Sequence, residues 1–298
     1  MRRAFTLIEL MIVIAIIGIL SLLALAGGSA AYQQSKVQRT QAIVAKIDSL
    51  IMEKWEGYRT RPVPIRINPS LQLTPRQVGL IRLNAIRELQ RMEMPDRMSD
   101  VSSGPVILVS ANGGSAPSLW KQYNRRAAAT WDSPNENAEC LYLILAAMRD
   151  GDKSALDFFS PSEIGDVDND GMNEILDSFG QPITFLRWPA GYRNDWVPNP
   201  VTMQDGSTPD SFDPMKVDYR FSDADTTNDP IALKPLVWSA GPDKLHDINV
   251  GGGFTYASTS PPNDPYVNGG IIGIPSDANA DGYLSYADNI TNHDIEAR

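Results

Sequence analysis

From Phe5 to Ala26 the chain reads FTLIELMIVIAIIGILSLLALA, an apolar run of about 22 residues. As a helix rising about 1.5 Å per residue, it spans a hydrocarbon core of about 30 Å. Arg2 and Arg3 precede it, so the positive-inside rule keeps the N-terminus cytoplasmic and sends everything after Ser29 outward. Glu9 breaks the run one helical turn inside, where an ionised carboxylate costs about 2.5–3.5 kcal/mol on insertion scales. A carboxylate held there calls for a partner. A cleaved secretory signal is the competing reading, because Ala24-Leu25-Ala26 forms an A-x-A site followed by small residues. Such signals carry an apolar stretch of about 7–15 residues, however, and have no need of a carboxylate at its start.

The rest of the chain is polar enough to fold outside a membrane. The full chain has 298 residues, 42% of them hydrophobic, sufficient for a sizeable core. A net charge of −10 argues against a surface that tracks nucleic-acid phosphates, which needs clustered Lys and Arg. The charge is also uneven: residues 1–100 hold about 14 basic and 8 acidic side chains, residues 201–298 about 5 and 15, so the C-terminal third attracts cations. Cys140, the only cysteine, lies in the apolar run Cys140–Leu145 and reads as a buried thiol. With His246 and His293 the only histidines, no zinc site of ordinary ligand spacing can form. There is no G-x-S-x-G nucleophile elbow, and no catalytic set can be singled out by spacing, so the chain is not expected to be an enzyme.

Arg3-Ala4-Phe5-Thr6-Leu7-Ile8-Glu9-Leu10 resembles the cleavage and methylation motif of type IV pilins and of the pseudopilins of type II secretion. The resemblance implies that a prepilin peptidase cuts between Ala4 and Phe5, methylates the new amine and leaves Glu9 at the fifth mature position. Ala4 stands where that family usually has Gly. It also implies a role for Glu9 in assembly, as partner of the Phe5 amine of a neighbouring subunit in low dielectric. The expected division is a leader at 1–4, a transmembrane assembly helix at 5–28, an amphipathic helix at 29–60, a helical insertion at 61–150 and a β-rich acidic region at 151–298.

Within those regions, Ile43, Ile47, Leu50, Ile51, Trp55 and Tyr58 recur at spacings of 3 and 4, which predicts an amphipathic helix ending before Pro62. Gly27-Gly28 lowers helix propensity by about 1 kcal/mol per residue, which predicts a hinge there. Thr74-Pro75 is a helix start, with Val78, Ile81, Ala85, Leu89 and Met92 on one face and Pro95 as the stop. Residues 99–117 read as loop around an apolar segment at 106–109, followed by helices at 120–130 and 136–149. The arginines of these helices read as a solvated face. Segments 182–188 and 236–239 are strand candidates for a small antiparallel sheet. Asp177–Ile183 and Ser239–Asp243 resemble the strand-opening and strand-loop segments of major pseudopilins. The expected fold is therefore α+β and pilin-like, a long N-terminal helix packed on a globular part with extra helices, a small antiparallel sheet and calcium loops.

Asp166 to Asp177 has the spacing of a 12-residue calcium loop, with Asp166, Asp168 and Asp170 at positions 1, 3 and 5, Gly171 at 6 for the sharp turn, the carbonyl of Met172 at 7 and Asp177 at 12. A second copy has Asp277, Asn279, Asp281, Tyr283 and Asp288 in the corresponding places. Both are also compatible with acidic surface turns, since Asp, Asn and Gly dominate loops. The resemblance implies a competing set for one Ca2+, Asp243 and Asp247 with Asp288 and Asn289, and Asp288 cannot serve both.

The expected role is a structural subunit of a type II secretion or type IV pilus-like filament, carried by the bacterial inner membrane with its C-terminal part in the periplasm. Its partners are other pilin or pseudopilin subunits, the prepilin peptidase and secretion assembly proteins, with no nucleic acid. The alternative is a calcium-dependent surface-binding module or adhesin on the same anchor, using loops near Trp188, Tyr192 and Trp196.

Overall fold

In the computed structural model, which describes residues 7–67, 69–110, 115–150, 152–195, 203–276 and 285–296, one helix dominates. This helix, α1 (Leu7–Thr60), runs 54 residues. At about 1.5 Å per residue it is about 80 Å long. Its two halves have opposite surroundings. From Leu7 to Leu22 the large apolar side chains are exposed, whereas Ile43, Val44, Ile47, Ile51, Trp55 and Tyr58 are buried in the core. The helix passes through Gly27-Gly28 without interruption, so the expected hinge is absent. Glycine weakens a helix only locally, and propagation between two long strong segments adds one hydrogen bond for each residue fixed. The helix ends at Thr60, ahead of Pro62, which has no N–H to continue the ladder.

Helix α2 (Pro75–Glu93) starts where the sequence places it. Thr74 and Gln77 form a capping box, with the Gln77 amide donating to Thr74 Oγ1 at 3.3 Å and the Thr74 amide donating to Gln77 Oε1 at 2.9 Å. Its C-terminal half is buried all round, charged residues included. The arginines there are not a solvated face. Arg87 pairs with Asp218 at 2.8 Å, and Arg91 donates to the carbonyls of Ser103 and Gly104 at 3.0 and 2.9 Å. Arg97 stacks on Phe254 and Tyr256, its Cζ 4.3 and 4.6 Å from the ring centroids. Arg76 and Arg82 in the first half of α2, and Arg125, Arg126 and Arg149 farther along, are exposed as expected.

The segment read as loop after α2 holds two helical turns, α3 (Met98–Ser102) and α4 (Ile107–Ser110). The second is fixed by a buried carboxylate: Glu88 accepts the amides of Val106, Ile107 and Leu108 at 2.6, 3.0 and 2.5 Å, the orphan donors of a helix start. Helices α5 (Ser118–Arg126) and α6 (Glu136–Ala147) follow, both shorter than their periodicity suggested. Cys140 is buried in α6, where burial pushes its thiol up.

The strands are short: β1 (Arg149–Asp150), β2 (Lys153–Ser154), β3 (Ile164–Gly165), β4 (Glu174–Ile175), β5 (Thr184–Leu186), β6 (Leu236–Ser239) and β7 (Ile290–Thr291). Three antiparallel sheets result, β1-β2, β3-β4 and β5-β6-β7. In the last, Phe185 sits opposite Val237 and Trp238 opposite Thr291. α1 packs on β6 and β7, while α6 packs on β4 and β5. One apolar cluster joins them, containing Ile47 and Trp55 of α1, Leu89 of α2, Leu141 of α6 and Phe185 and Trp238 of the sheet.

Candidate functional site

Two features stand out, the exposed half of α1 and an acidic centre beside the β3-β4 hairpin. The helix is long and apolar enough to cross a membrane; its most apolar window has a mean hydropathy of 2.9 and is 0% buried. Glu9 lies in its first turn. Ala4 and Phe5 lie outside the described residues.

Residues 166–173 close the β3-β4 hairpin, whose last rung pairs Gly165 with Glu174. Asn169 and Gly171 have positive φ, 63° and 95°, and a Cβ on Gly171 would stand 3.3 Å from that of Ala128. The loop folds around its own carboxylates. Asp166 Oδ2 accepts the Gly171 amide at 3.1 Å, Asp170 Oδ1 accepts that of Met172 at 2.8 Å, and Glu174 Oε2 accepts that of Val167 at 3.1 Å. The connection between α5 and α6 wraps the outside: the Asp132 amide donates to Asp170 Oδ2 at 2.9 Å and Asn135 Nδ2 to Asp168 Oδ2 at 2.8 Å. The Met172 thioether accepts the Ala128 amide at 3.3 Å.

The 12-residue frame fails at its end. Asp177 has both oxygens engaged elsewhere, Oδ1 by the amides of Phe179 and Gln181 at 2.7 and 2.9 Å and Oδ2 by Ser239 Oγ at 2.6 Å. It ties the 178–181 turn to β6. Three carboxylates that the sequence reading passed over, Asp132, Glu139 and Glu174, stand with the loop instead. One oxygen from each of Glu139, Asp168 and Glu174 lies within 4.8 Å of the others, and Asp132, Asp168 and Asp170 form a second such group. Glu174 is position 9 of the loop, a place that commonly serves calcium through water, so a signal for it existed. Glu139 comes from α6 and has no local signal. Burial, reinforced by Asp170 and Asp168, pushes its carboxyl up to about 9 despite the hydrogen bond from Trp131 Nε1. Burial and the neighbouring Asp168, Asp166 and Asp170 push Glu174 up to about 7.

A second acidic group forms near the C-terminus. Asp288 Oδ2 accepts the Asp243 amide at 3.2 Å, and Asn289 Nδ2 donates to the His246 carbonyl at 2.8 Å. Asp288 Oδ1 and Asn289 Oδ1 are buried without a hydrogen-bond partner, and the Asp288 carboxyl is pushed up by burial and by Asp243 and Asp247. Asp247 is buried with φ at 44°. Asp277, Asn279, Asp281 and Tyr283 of the second loop lie outside the described residues.

Residues 1–25 match a family described as prokaryotic N-terminal methylation motif. That motif is characteristic of type IV pilins and pseudopilins, and with it go assembly alongside other pilin subunits and processing by a prepilin peptidase. Comparison with curated proteins and with solved structures finds no match.

Proposed function

We propose that this chain, which begins with a pilin-type methylation motif, is a structural subunit of a filament in a type II secretion or related export machine. The observation that carries the reading is the divided helix: α1 exposes its apolar side chains from Leu7 to Leu22 and buries those from Ile43 to Tyr58. Exposed apolar surface of that extent needs lipid or another protein to cover it. Lipid covers the segment before assembly, and the same segments of neighbouring subunits cover it in the filament. The globular part then lies outside the inner membrane, with Arg2 and Arg3 on the cytoplasmic side. The role is structural rather than catalytic. Ca2+ at Asp243, Asp247, Asp288 and Asn289 fits this reading, because the buried unpartnered oxygens of Asp288 and Asn289 suit a hard cation and the ion would hold the segment before β7 against the loop after β6. An adhesin on the same anchor is less well supported, since Trp188 and Tyr192 are 1% and 3% exposed and offer no surface platform, and Trp196 lies outside the described residues.

Processing provides the test. Co-expressed with a prepilin peptidase, the full chain should yield a mature form beginning at N-methylated Phe5, read by intact mass and N-terminal sequencing. A mature start at Gly27 would establish a cleaved secretory signal and sink the filament reading.

A further inference from the structure

We propose that Glu139, Asp166, Asp168 and Glu174 form a calcium-binding centre that clamps α6 to the β3-β4 hairpin. Each of these carboxylates has one oxygen held by a scaffold donor, namely Trp131 Nε1, the Gly171 amide, Asn135 Nδ2 and the Val167 amide. Each keeps a second oxygen, Glu139 Oε1, Asp166 Oδ1, Asp168 Oδ1 and Glu174 Oε1, buried and without any hydrogen-bond partner. Glu139 and Glu174 are 0% exposed, so bulk solvent does not reach them. A buried carboxylate left in that condition is costly, and proteins ordinarily pair it.

Among the described residues, most buried carboxylates elsewhere are paired. Asp96 and Asp100 face Arg187, Glu93 faces Arg61, Asp218 faces Arg87, and Asp264 faces Arg220. Asp177 and Asp213, which have no arginine, have both oxygens hydrogen-bonded. Among the described residues, no Lys, Arg or His forms an ion pair with the four carboxylates of the centre. Their strongest electrostatic neighbours include one another and Asp170, all of the same sign. The missing partner is therefore a cation from solution.

The donors select its class. All are carboxylate oxygens, which suit Ca2+ or Mg2+ rather than softer metals. Glu139, Asp168 and Glu174 place their oxygens within 4.8 Å of one another. One ion can touch all three at such separations, and an irregular set of carboxylates from a helix and a hairpin suits the flexible coordination of calcium better than the rigid octahedron of magnesium. Because Glu139 is on α6 and the other three are on the hairpin, the ion fastens the helix to the hairpin.

Trp131, whose indole donates to Glu139, makes the centre observable. With the full chain in detergent micelles, terbium should show emission sensitised by tryptophan excitation, and calcium should displace it. Trp131→Phe should remove the same part of that emission as Glu139→Gln/Glu174→Gln, while equilibrium dialysis still finds the calcium bound. Glu139→Gln and Glu174→Gln should each weaken this calcium at least tenfold, and together they should remove one equivalent. Asp177→Asn should leave the affinity unchanged while lowering the melting temperature equally in calcium and in chelator. Unchanged calcium stoichiometry in a folded Glu139→Gln/Glu174→Gln chain, or full terbium emission from Trp131→Phe, would overturn the proposal. None of these readouts depends on filament assembly.

Discussion

Arg187 shows how the core of this protein tolerates charge. Its guanidinium is fully buried, donates to Asp100 and to the Met94 carbonyl, and lies 4.0 Å from the centroid of the Trp188 ring. A buried ion pair with good geometry contributes little net stability, because desolvation offsets most of the attraction, but breaking it is expensive. Arg187→Met keeps much of the apolar stem and removes the charge, leaving Asp96 and Asp100 facing each other in the interior. The expected loss is about 3–5 kcal/mol, measured by denaturant unfolding of the full chain in detergent with tryptophan fluorescence as the probe. A loss below about 1 kcal/mol would mean that solvent reaches the aspartates and that the burial described above is wrong.

At the scale of elements, the emergence of α1 from its exposed half into the core is fastened by Arg39, whose guanidinium reaches Glu163 at 2.8 Å just ahead of β3. Burial disfavours the charge on Glu163, but the hydrogen bonds from Arg39 and from the Ser160 amide hold its carboxyl below the usual glutamate range. A carboxylate with a depressed folded pKa stabilises the fold above its unfolded pKa, and that contribution disappears as pH falls through the folded value. Glu163→Gln should therefore cost about 0.2–1 kcal/mol at pH 7, the small figure reflecting an Arg39 that is largely solvent-exposed. The difference from the parent chain should close as pH is lowered below about 4. Melting curves of the two chains across pH check this, and a gap that widens on acidification would contradict the assigned pairing.

For the molecule as a whole, the division of α1 sets what assembly must accomplish. The outer half cannot be stable in water, and a carboxylate at position 9 is a liability in lipid unless a cation meets it. Glu9→Leu removes that liability and should insert at least as well as the parent. If Glu9 serves to pair with the amine of a neighbouring mature chain, the variant should accumulate in the membrane while filament yield falls at least tenfold. Fractionation and shear release of filaments distinguish the two steps. Normal filament yield from Glu9→Leu would remove the pairing role and leave assembly to apolar packing alone.

Length, polarity and local stereochemistry were legible in the sequence by itself. The apolar run, the spacing of Ile43 to Tyr58, the Thr74-Pro75 start and the β5 and β6 segments act over a few residues, so neighbours in sequence carry the whole signal. Only the tertiary structure decided where charge could be buried and where oxygens converge. Arg87 and Arg91 look like a polar face until Asp210, Asp218 and Asp100 are brought onto them. Gly27-Gly28 looks like a hinge until the cooperativity of the helix on either side is counted. The spacing within 166–177 predicted one ligand set, of which Asp166, Asp168 and Asp170 share the turn, whereas Asp177 is held by Ser239 and Glu139 reaches the loop from another helix. A carboxylate's role depends on which donor or cation reaches it first in space, and chain folding, not sequence distance, sets that order.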